Sequence, residues 1–589
     1  MDSKHVTEST SGQEDIQKTW WKEAIIYQIY PRSFQDSDGD GIGDLNGITS
    51  RLDYIQSLGV DIIWLNPIFL SPNDDNGYDI SDYREIMREF GTMEDFDRLL
   101  KEIHKREMRL VLDLVVNHTS DEHPWFEEAR KSRHNPYYNY YHWWPAEKGE
   151  PPLRLSYFDE EGNAWTYNKP TDSYYLHYFS RKQPDLNWEN PEVRQEIFDM
   201  MRFWFDKGID GFRMDSISLI AKDPSFPLID SKKYPDIFSF YAKEPRLHLY
   251  LHEMNRQVLS KYDCMSVGEG SAVMVDDVAK FVDPAREELN MLYHFDAARI
   301  RNTTLPDNPE SGIDYSLIAL KKMFTEWDKA VDKGWPSIYL SNHDQPRMVS
   351  RFGSDKDEFR ALSTKMLITF LLTMRGTPYW FAGDEIGMRN IRFDRIEDYN
   401  DIDTINRYKK AKAEGKDPQA VLDEQKETGR DNARTPFQWD RSPEAGFTAG
   451  TPWLKVNPDY TWINVADEEK DPTSILNYFK KVVSFRKENP SLIYGSYHLL
   501  DAENPQSYTF LRKTGADTYL IMLNFSPKAA ISTPGIDMSN AHVLLDNYGD
   551  RSHMAPQKDI TLRPFEAIVF QLNHPVYESF IDGMVQLKD

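Results

Sequence analysis

The segment Gly211-Phe212-Arg213-Met214-Asp215 is an apolar run that carries an arginine and ends on an aspartate. Its composition predicts a buried strand, in which successive side chains alternate between the two faces. Arg213 and Asp215 therefore point to the same face, where the fixed positive charge of the guanidinium would keep the carboxylate ionised. An ionised carboxylate at the end of a buried strand suits a nucleophile.

Seven further β-rich runs alternate with helical stretches along the chain. The eight predicted strands cover residues 24–30, 60–68, 108–117, 211–217, 265–268, 289–295, 337–341 and 378–382. This alternation is typical of βα units and a parallel sheet, and eight units predict an α/β fold built on a (β/α)8 TIM barrel. Polar clusters follow several runs, and in such a barrel the carboxyl ends of the strands build the active site.

The chain divides into four predicted parts. We expect a polar N-terminal tail at residues 1–14, the barrel at 15–118 and 186–503, an inserted subdomain after strand three at 119–185, and a C-terminal domain at 504–589. The insertion is too long for an ordinary βα loop. Its many aromatic residues, such as those at 137–144, fit either stacking on sugar faces or a compact core. Short alternating strands at 507–511, 518–525, 542–545 and 560–571 predict an antiparallel β-sandwich for the last part.

Composition excludes several classes of protein. With 40% hydrophobic and 28% charged residues the chain is globular, and its longest strongly apolar run, residues 366–374, is too short to span a membrane. A net charge of -26 opposes binding to nucleic acid. A single cysteine, Cys264, excludes intrachain disulfides and favours a reducing compartment. We expect a cytoplasmic protein, with a periplasmic or secreted location as the alternative, and no nucleic-acid or membrane partner. We also expect a monomer.

Three acidic residues follow the fourth, fifth and seventh predicted strands: Asp215, Glu269 and Asp344. A barrel would bring them into one pocket, where mutual repulsion raises at least one pKa. Glu269 has no basic residue within three positions, so it is the better candidate for a protonated acid. A protonated acid beside an ionised nucleophile is what glycoside hydrolysis requires.

At this point the sequence resembles glycoside hydrolase family 13, the α-amylase family, over nearly its whole length. The motifs are Asp113-Leu-Val-Val-Asn-His118, Gln183-Pro-Asp-Leu-Asn187, Gly211-Phe-Arg-Met-Asp215, Val267-Gly-Glu269 and Asn342-His-Asp344. Three more, Tyr27-Gln-Ile-Tyr-Pro31, Asp75-Asn-Gly-Tyr78-Asp79 and Arg430-Asp-Asn-Ala-Arg-Thr-Pro436, resemble the oligo-1,6-glucosidase and α-glucosidase branch.

The resemblance implies a role for each matching residue. It makes Asp215 the nucleophile, Glu269 the general acid/base and Asp344 the transition-state stabiliser. It implies that the non-reducing glucose is held by Asp75, Tyr78, His118, Arg213, His343 and Arg430. The implied activity is that of a retaining, exo-acting α-glucosidase on short oligosaccharides or disaccharides, without an organic cofactor.

The loop from Asp36 to Asp44 spaces oxygen ligands at alternate positions, as calcium-binding loops do. It is not an EF-hand, because its twelfth position is Gly47. The family resemblance implies a structural Ca²⁺ here, away from the catalytic centre. The expected ligands are Asp36, Asp38, Asp40, the Ile42 carbonyl and Asp44.

The sequence does not decide which type of glycosidic bond the enzyme would cleave. Relatives that cut α-1,6 bonds tend to carry Val after the nucleophile, and those acting on α-1,4 bonds or sucrose tend to carry Ala or Thr. Here the residue is Ser216, which is small and polar and favours α-1,4, sucrose-type or mixed specificity. The residues after the acid, Gly270-Ser271-Ala272, are smaller than the family resemblance implies. Their small size could widen the +1 subsite, which holds the sugar on the leaving-group side of the bond. An oligo-1,6-glucosidase is the alternative.

Two further hypotheses fit less well. Sucrose isomerases use the same carboxylates but carry an Arg-x-Asp-Arg segment after the sixth strand, where this chain has Arg299-Ile-Arg-Asn302. Heavy chains of some amino-acid transporters share the fold without catalysis, but they lack the full carboxylate set and carry a membrane anchor. This chain has the carboxylates.

Overall fold

The computed structural model describes residues 18–572, apart from 159–161, 235, 516, 553, 555 and 556. The predicted tail at 1–14 lies outside the described residues. Eight parallel strands form the central sheet, one at each predicted position. Strands β1 to β8 are Ile26–Ile29, Ile62–Leu65, Arg109–Val115, Gly211–Asp215, Met265–Glu269, Met291–Tyr293, Ser337–Ile338 and Thr377–Phe381.

The sheet curves into the predicted (β/α)8 TIM barrel and is nearly closed. Its strands follow the order β6-β5-β4-β3-β2-β1-β8-β7, and all seven pairings are parallel. Side chains bridge the remaining gap between β6 and β7. The Ser337 hydroxyl donates to the Leu292 carbonyl over 2.6 Å, and the Tyr339 hydroxyl donates to the His294 carbonyl.

Helices surround the sheet, and local sequence sets their ends. Helix Met93–Lys105 begins at Thr92, which forms a capping box with Asp95. Helix Pro191–Lys207 ends at Gly208, whose φ of 108° is left-handed. The other helices of eight or more residues are Arg246–Gln257, Asp296–Thr303, Leu317–Ala330, Arg360–Thr373, Ile402–Ala413, Pro418–Thr428 and Ile475–Glu488. Shorter helices are Trp20–Glu23, Leu45–Ser50, Leu52–Ser57, Pro124–Ala129, Phe238–Tyr241, Ala279–Val282, Met348–Phe352, Asp431–Arg434, Val465–Glu468 and Ser491–Tyr494.

Apolar side chains fill both sides of the barrel wall. Inward-facing residues such as Ile26, Trp64 and Val267 pack in the barrel interior, and a larger core lies between the sheet and the helices. No helix among the described residues combines the length and apolar character needed to cross a membrane.

The insertion after β3 forms a small subdomain with its own antiparallel sheet. Its strands are Trp143–Pro145, Trp165–Asn168 and Ser173–Leu176, and a bridge between His118 and Asp185 joins its two ends. The aromatic residues at 137–144 pack mainly on one another and on the rest of this subdomain. The Tyr138 and Trp143 rings, for example, stack with centroids 4.8 Å apart. Of the two sequence-based interpretations, the compact core describes this cluster.

The C-terminal domain is an antiparallel sandwich, and it begins earlier than predicted. Its five-stranded sheet has the order Ser496–Leu500, Ser507–Thr514, Asp517–Asn524, Ala567–Leu572 and Ala541–Asp546. A two-stranded sheet, Ala530–Ser532 with Ile560–Leu562, packs against it.

The predicted domain boundary at residue 504 was wrong, because Ser496–Leu500 pairs with the five-stranded sheet. The single strand predicted at 560–571 is broken by a turn in which Phe565 has a φ of 51°. Residues 573–589 lie outside the described residues.

Two buried arginines lie near the junction between the barrel and this C-terminal domain, and Arg512, which belongs to the C-terminal sheet, reaches across it to the barrel. Arg512 donates to the carbonyls of Thr373, Leu492, Ile493 and Gly495. Arg486 donates to the carbonyls of Leu372, Met374, Gly376 and Leu492. Both guanidiniums therefore satisfy carbonyl groups that would otherwise be buried without a donor.

We expect Arg512→Leu to lower the free energy of unfolding by at least about 3 kcal/mol, because several buried carbonyls lose their donor. Thermal unfolding followed by calorimetry should show a melting temperature several degrees lower. Arg395→Leu is the matched control, since the Arg395 side chain is 66% exposed and pairs only with the equally exposed Glu397. Equal melting temperatures for the two variants would contradict the anchoring role.

Candidate active site

The register of three neighbouring strands brings the motif residues to one height at the carboxyl end of the barrel. Asp113 on β3 lies opposite Arg213 on β4, and Val115 lies opposite Asp215. On the other side of β4, Met214 pairs with Gly268, which precedes Glu269 at the end of β5. The parallel register of these strands therefore brings one arginine and three carboxylates together.

Arg213 lies at the centre of this group. Its Nη1 atom donates to Asp113 Oδ1 over 2.7 Å and to Asp215 Oδ1 over 2.8 Å, while Nη2 donates to Glu269 Oε2. The side chain is wholly buried, with its guanidinium 5.2 Å from the centroid of the Trp64 ring. One cation therefore faces three carboxylates in a site shielded from water, which favours retention of a proton by at least one of them.

The pKa values of the carboxylates follow from this imbalance. Burial raises the pKa of Asp215 to about 6, against the opposing effect of Arg213. Burial also raises the pKa of Glu269 to about 7, with the Asp215 charge adding to the effect of burial and Arg213 opposing it. The predicted proton donor thus has the higher pKa. Glu269 has no basic residue within three positions in the sequence, but the Arg213 guanidinium reaches it from the neighbouring strand.

Asp344 is held as an anion by different cations. Its Oδ1 atom accepts from Arg430 Nη1 over 3.2 Å and from Arg434 Nη2 over 2.8 Å, and its Oδ2 atom lies 3.0 Å from His343 Nε2. Burial alone would raise the pKa of Asp344. His343 and the two guanidiniums outweigh that effect and hold the pKa well below its ordinary value. This carboxylate is therefore ionised beside the other two.

His343 lies beneath the pocket in a network of fixed polar side chains. Its Nδ1 atom accepts from Gln28 Nε2 over 2.8 Å and Asn66 Nδ2 over 3.2 Å, so the ring proton belongs on Nε2. The Tyr78 hydroxyl lies 2.7 Å from that Nε2 atom and donates to Asp113 Oδ2 over 2.9 Å. The two rings also stack, with centroids 5.3 Å apart. This network fixes the orientation of Tyr78 and of Asp344.

The far side of the pocket is formed by a second ion pair. Asp75 Oδ1 lies 3.4 Å from Arg430 Nη2, and Asp75 Oδ2 accepts from Gln183 Nε2 over 3.2 Å. Burial raises the pKa of Asp75 to about 7, although Arg430 lowers it. Arg430 is held in turn by Asp401, which accepts from its Nε atom over 2.7 Å.

His118 is neutral and its tautomer is defined by its neighbours. Asn117 Nδ2 lies 3.2 Å from the Nδ1 atom, which therefore accepts, and the Nε2–H group faces the Tyr78 carbonyl at 3.1 Å. Burial lowers the pKa of His118 to about 3. Lys222 donates to Asn117 Oδ1 over 2.6 Å and so fixes the orientation of that amide.

These side chains line one pocket that is open to solvent. Its lining residues are Asp75, Tyr78, His118, Phe158, Phe179, Asp215, Ser216, Glu269, Asp344 and Arg430. All but Phe158 and Phe179 were predicted site residues. The remaining two predicted residues, Arg213 and His343, lie behind the lining and contact its carboxylates.

Sequence reasoning missed several residues of the site. Arg434 and Gln183 lie inside motifs that were recognised, so position within the motif could have found them. Gln28 also lies inside a recognised motif, Tyr27 to Pro31, whereas Asn66, Asp401 and Phe158 carry no local signal, because their partners come from distant parts of the chain. Phe158 is held over the pocket by Arg430, whose guanidinium is 4.8 Å from its ring, and by Asn406, which donates to the Phe158 carbonyl over 2.6 Å.

Ser216 follows the nucleophile in a left-handed conformation, with φ 42° and ψ 30°. This conformation is costly for residues with a branched β-carbon. Serine is tolerated there more readily than valine.

The predicted calcium loop brings together three of its expected carboxylates. One oxygen from each of Asp36, Asp38 and Asp40 lies within 4.8 Å of the others. Asp44 is not in this cluster of three; it caps helix Leu45–Ser50, and its two oxygens accept from Ser37 and Gly47. Gly41 has a φ of 94°, and a β-carbon there would lie 1.9 Å from the Thr451 carbonyl oxygen. The close contact keeps the loop compact, and three converging carboxylates fit a hard cation such as Ca²⁺.

The chain matches known proteins over most of its length. A model of the α-amylase catalytic domain matches residues 28–495. The chain is 51% identical over 571 residues to an oligo-1,6-glucosidase from Parageobacillus thermoglucosidasius, covering 95% of this chain and 100% of that protein. It is 43% identical over 568 residues to a trehalose-6-phosphate hydrolase from Bacillus subtilis, covering 95% and 99% of the two chains.

A solved structure is also similar to this chain over most of its length. The isomaltulose synthase SmuA from Protaminobacter rubrum has a TM-score of 0.89 and 42% identity, covering 95% of this chain and 100% of that chain. The barrel, the converging carboxylates and these matches lead to one conclusion: the chain is an enzyme of the α-amylase family, glycoside hydrolase family 13.

Proposed function

We propose that this enzyme is a retaining, exo-acting α-glucosidase that releases α-glucose from the non-reducing end of short α-glucosides. The observation that carries the proposal is the sharing of Arg213 by Asp215 and Glu269 at the pocket wall. Both carboxylates bind one guanidinium, and a hydrogen bond links the two carboxyl groups, so they lie close together. Retaining glycosidases have such closely spaced carboxyl groups, whereas inverting enzymes leave room for a water.

Each carboxylate has a role that matches its environment. Asp215 attacks the anomeric carbon as the bond to the leaving oxygen breaks, and Glu269 gives that oxygen its proton. Water then attacks the glucosyl ester, giving its proton to Glu269 and freeing Asp215. Asp344 stays ionised throughout and stabilises positive charge on the sugar ring in both transition states.

The closed end of the pocket accounts for exo action. Asp75 and Arg430 pair across it, and Phe158 lies over Arg430. A terminal sugar can direct its hydroxyls to these charged groups, but a longer chain cannot continue past them. We therefore expect the enzyme to release glucose from chain ends.

The preferred linkage is the finer part of the proposal. Ser216 lines the pocket beside the nucleophile and favours α-1,4, sucrose-type or mixed cleavage over a narrow α-1,6 preference. The second candidate is an oligo-1,6-glucosidase, which the name of the 51% identical relative favours. Values of kcat/KM for maltose, isomaltose, sucrose and trehalose distinguish the two. A preference for isomaltose of about tenfold or more would support the second candidate.

Product analysis of the reaction with sucrose tests isomerisation as an alternative to hydrolysis. Similarity to the solved isomaltulose synthase is the observation that favours this alternative. The products formed from sucrose distinguish isomerisation from hydrolysis. We expect equal amounts of glucose and fructose. An isomeric disaccharide as the main product would overturn hydrolysis as the proposed reaction while leaving the carboxylate roles intact.

We expect Asp215→Asn to remove nearly all turnover on every glucoside, because the covalent route needs this carboxylate. Glu269→Gln should be severe on maltose but milder on nitrophenyl α-glucoside, whose leaving group needs little protonation. Single-turnover measurement of the glycosylation step on both substrates tests this difference.

Ser316→Ala is a matched control outside the site, since Ser316 caps helix Leu317–Ala330 and touches none of the pocket residues. It should reduce stability by about 1 kcal/mol and leave the substrate ratio unchanged. An equal loss of the glycosylation step on both substrates in Glu269→Gln would contradict the role of Glu269 as acid.

For the loop from Asp36 to Asp44 we propose a structural Ca²⁺ held by Asp36, Asp38 and Asp40, with the Ile42 carbonyl and Asp44 as further expected ligands. The three converging carboxylates support this proposal. Bound Ca²⁺ would offset their mutual repulsion and stabilise the loop after β1.

Chelation should then lower the melting temperature, because an ion that binds only the folded state stabilises it in proportion to the logarithm of its concentration. Turnover at low temperature should persist, since the loop contributes none of the three catalytic carboxylates. Calorimetry with and without a chelator, beside the same pair for Asp38→Asn, measures the effect. Immediate loss of turnover at temperatures where the fold survives would contradict a purely structural ion.

A further inference from the structure

A tight turn follows the proton donor, and its sequence is unusual for its shape. The Val273 amide donates to the Gly270 carbonyl over 3.1 Å, which closes a turn with Ser271 and Ala272 at its centre. Ala272 has a φ of 61°, a left-handed conformation that normally favours glycine. The turn is therefore held in place by contacts outside itself.

Strand β6 and the loop after β4 provide those contacts. Gly270 donates to the Tyr293 carbonyl over 2.7 Å, and a β-carbon at Gly270 would lie 2.8 Å from the Leu292 side chain. From the loop after β4, the Ser218 hydroxyl donates to the Ser271 carbonyl over 2.6 Å. Ser218 is wholly buried. The position of Ser271 is thus fixed from both sides.

The Ser271 hydroxyl in turn donates to Glu269 Oε1 over 2.7 Å. Arg213 binds the other oxygen of the same carboxyl group. Each oxygen of Glu269 therefore has one donor, which defines the plane of the carboxyl group.

We propose that Ser271 is a positioning residue for the proton donor: its hydroxyl orients the Glu269 carboxyl group toward the scissile oxygen and stabilises its ionised form after the proton has left. This inference rests on the proposed glucosidase function. It goes beyond that function because it assigns a role to the turn after β5.

The hydrogen bond has a predictable effect on the pH profile. A donor to the carboxylate favours the ionised form, so Ser271 lowers the pKa of Glu269, which burial raises to about 7. The hydrolysis rate falls as pH rises through that pKa, because the protonated acid is lost. Other charged or titratable groups facing Glu269 are Arg213, Asp215, Asp344, Asp113, Tyr157, Tyr293 and Tyr339. None of these changes when Ser271 is replaced.

The test is the pH dependence of kcat/KM for maltose in wild type, Ser271→Ala and Ser271→Thr. Without the hydroxyl, the alkaline limb should move up by roughly half a unit to one unit, and kcat/KM at the optimum should fall about three- to tenfold. Ser271→Thr keeps the hydroxyl and should restore the wild-type limb. Ala272→Gly relieves the left-handed conformation next door and should leave the limb at its wild-type pH.

A second variant guards against misfolding of the first. Ser218→Ala removes the support of the turn without touching Glu269, and it should shift the limb in the same direction by a smaller amount. An unmoved limb in Ser271→Ala, or an equal shift in Ser271→Thr, would overturn the inference. Absence of glucosidase activity in wild type would instead refute the proposed function, so the two failures are distinct.

Discussion

The buried guanidinium of Arg213 is the group on which the site depends. It binds carboxylates from β3, β4 and β5, and these strands could not bring three acidic side chains into a dry barrel end without a cation among them. The arginine does not neutralise the cluster. Because one positive charge faces three carboxylates, a proton is retained near neutral pH, and that proton is the one the reaction needs.

A second set of cations keeps Asp344 out of this competition. Arg430 and Arg434 come from the segment after the eighth strand and bind Asp344. Asp344 therefore stays ionised, whereas Asp215 and Glu269 share a proton. Arg430 also pairs with Asp75, so the residue that stabilises Asp344 belongs to the closed end of the pocket.

Much of this could be predicted from the chain alone. The eight strands follow from the alternation of β-rich and helical runs, and the strand-end rule of barrels is enough to bring Asp215, Glu269 and Asp344 together. Eight of the ten lining residues had been predicted from motifs. These predictions succeed because a parallel barrel converts strand position directly into spatial position.

The errors involved contacts between distant segments. Proximity in sequence suggested that Glu269 has no basic neighbour, but Arg213 reaches it from the next strand. A separate error was local: the edge strand Ser496–Leu500 was assigned to the barrel, although it forms an antiparallel hairpin with the nearby strand Ser507–Thr514. Phe158 reaches the pocket only through Arg430 and Asn406, which lie more than two hundred residues away in the chain.

The central claim is that one guanidinium holds nucleophile and acid close enough for double displacement. Proton NMR of the first sugar released from maltose tests it most directly, before mutarotation mixes the anomers. Double displacement predicts α-glucose as the first product, because two inversions at the anomeric carbon restore its configuration. Release of β-glucose would mean a single displacement by water and would contradict the account.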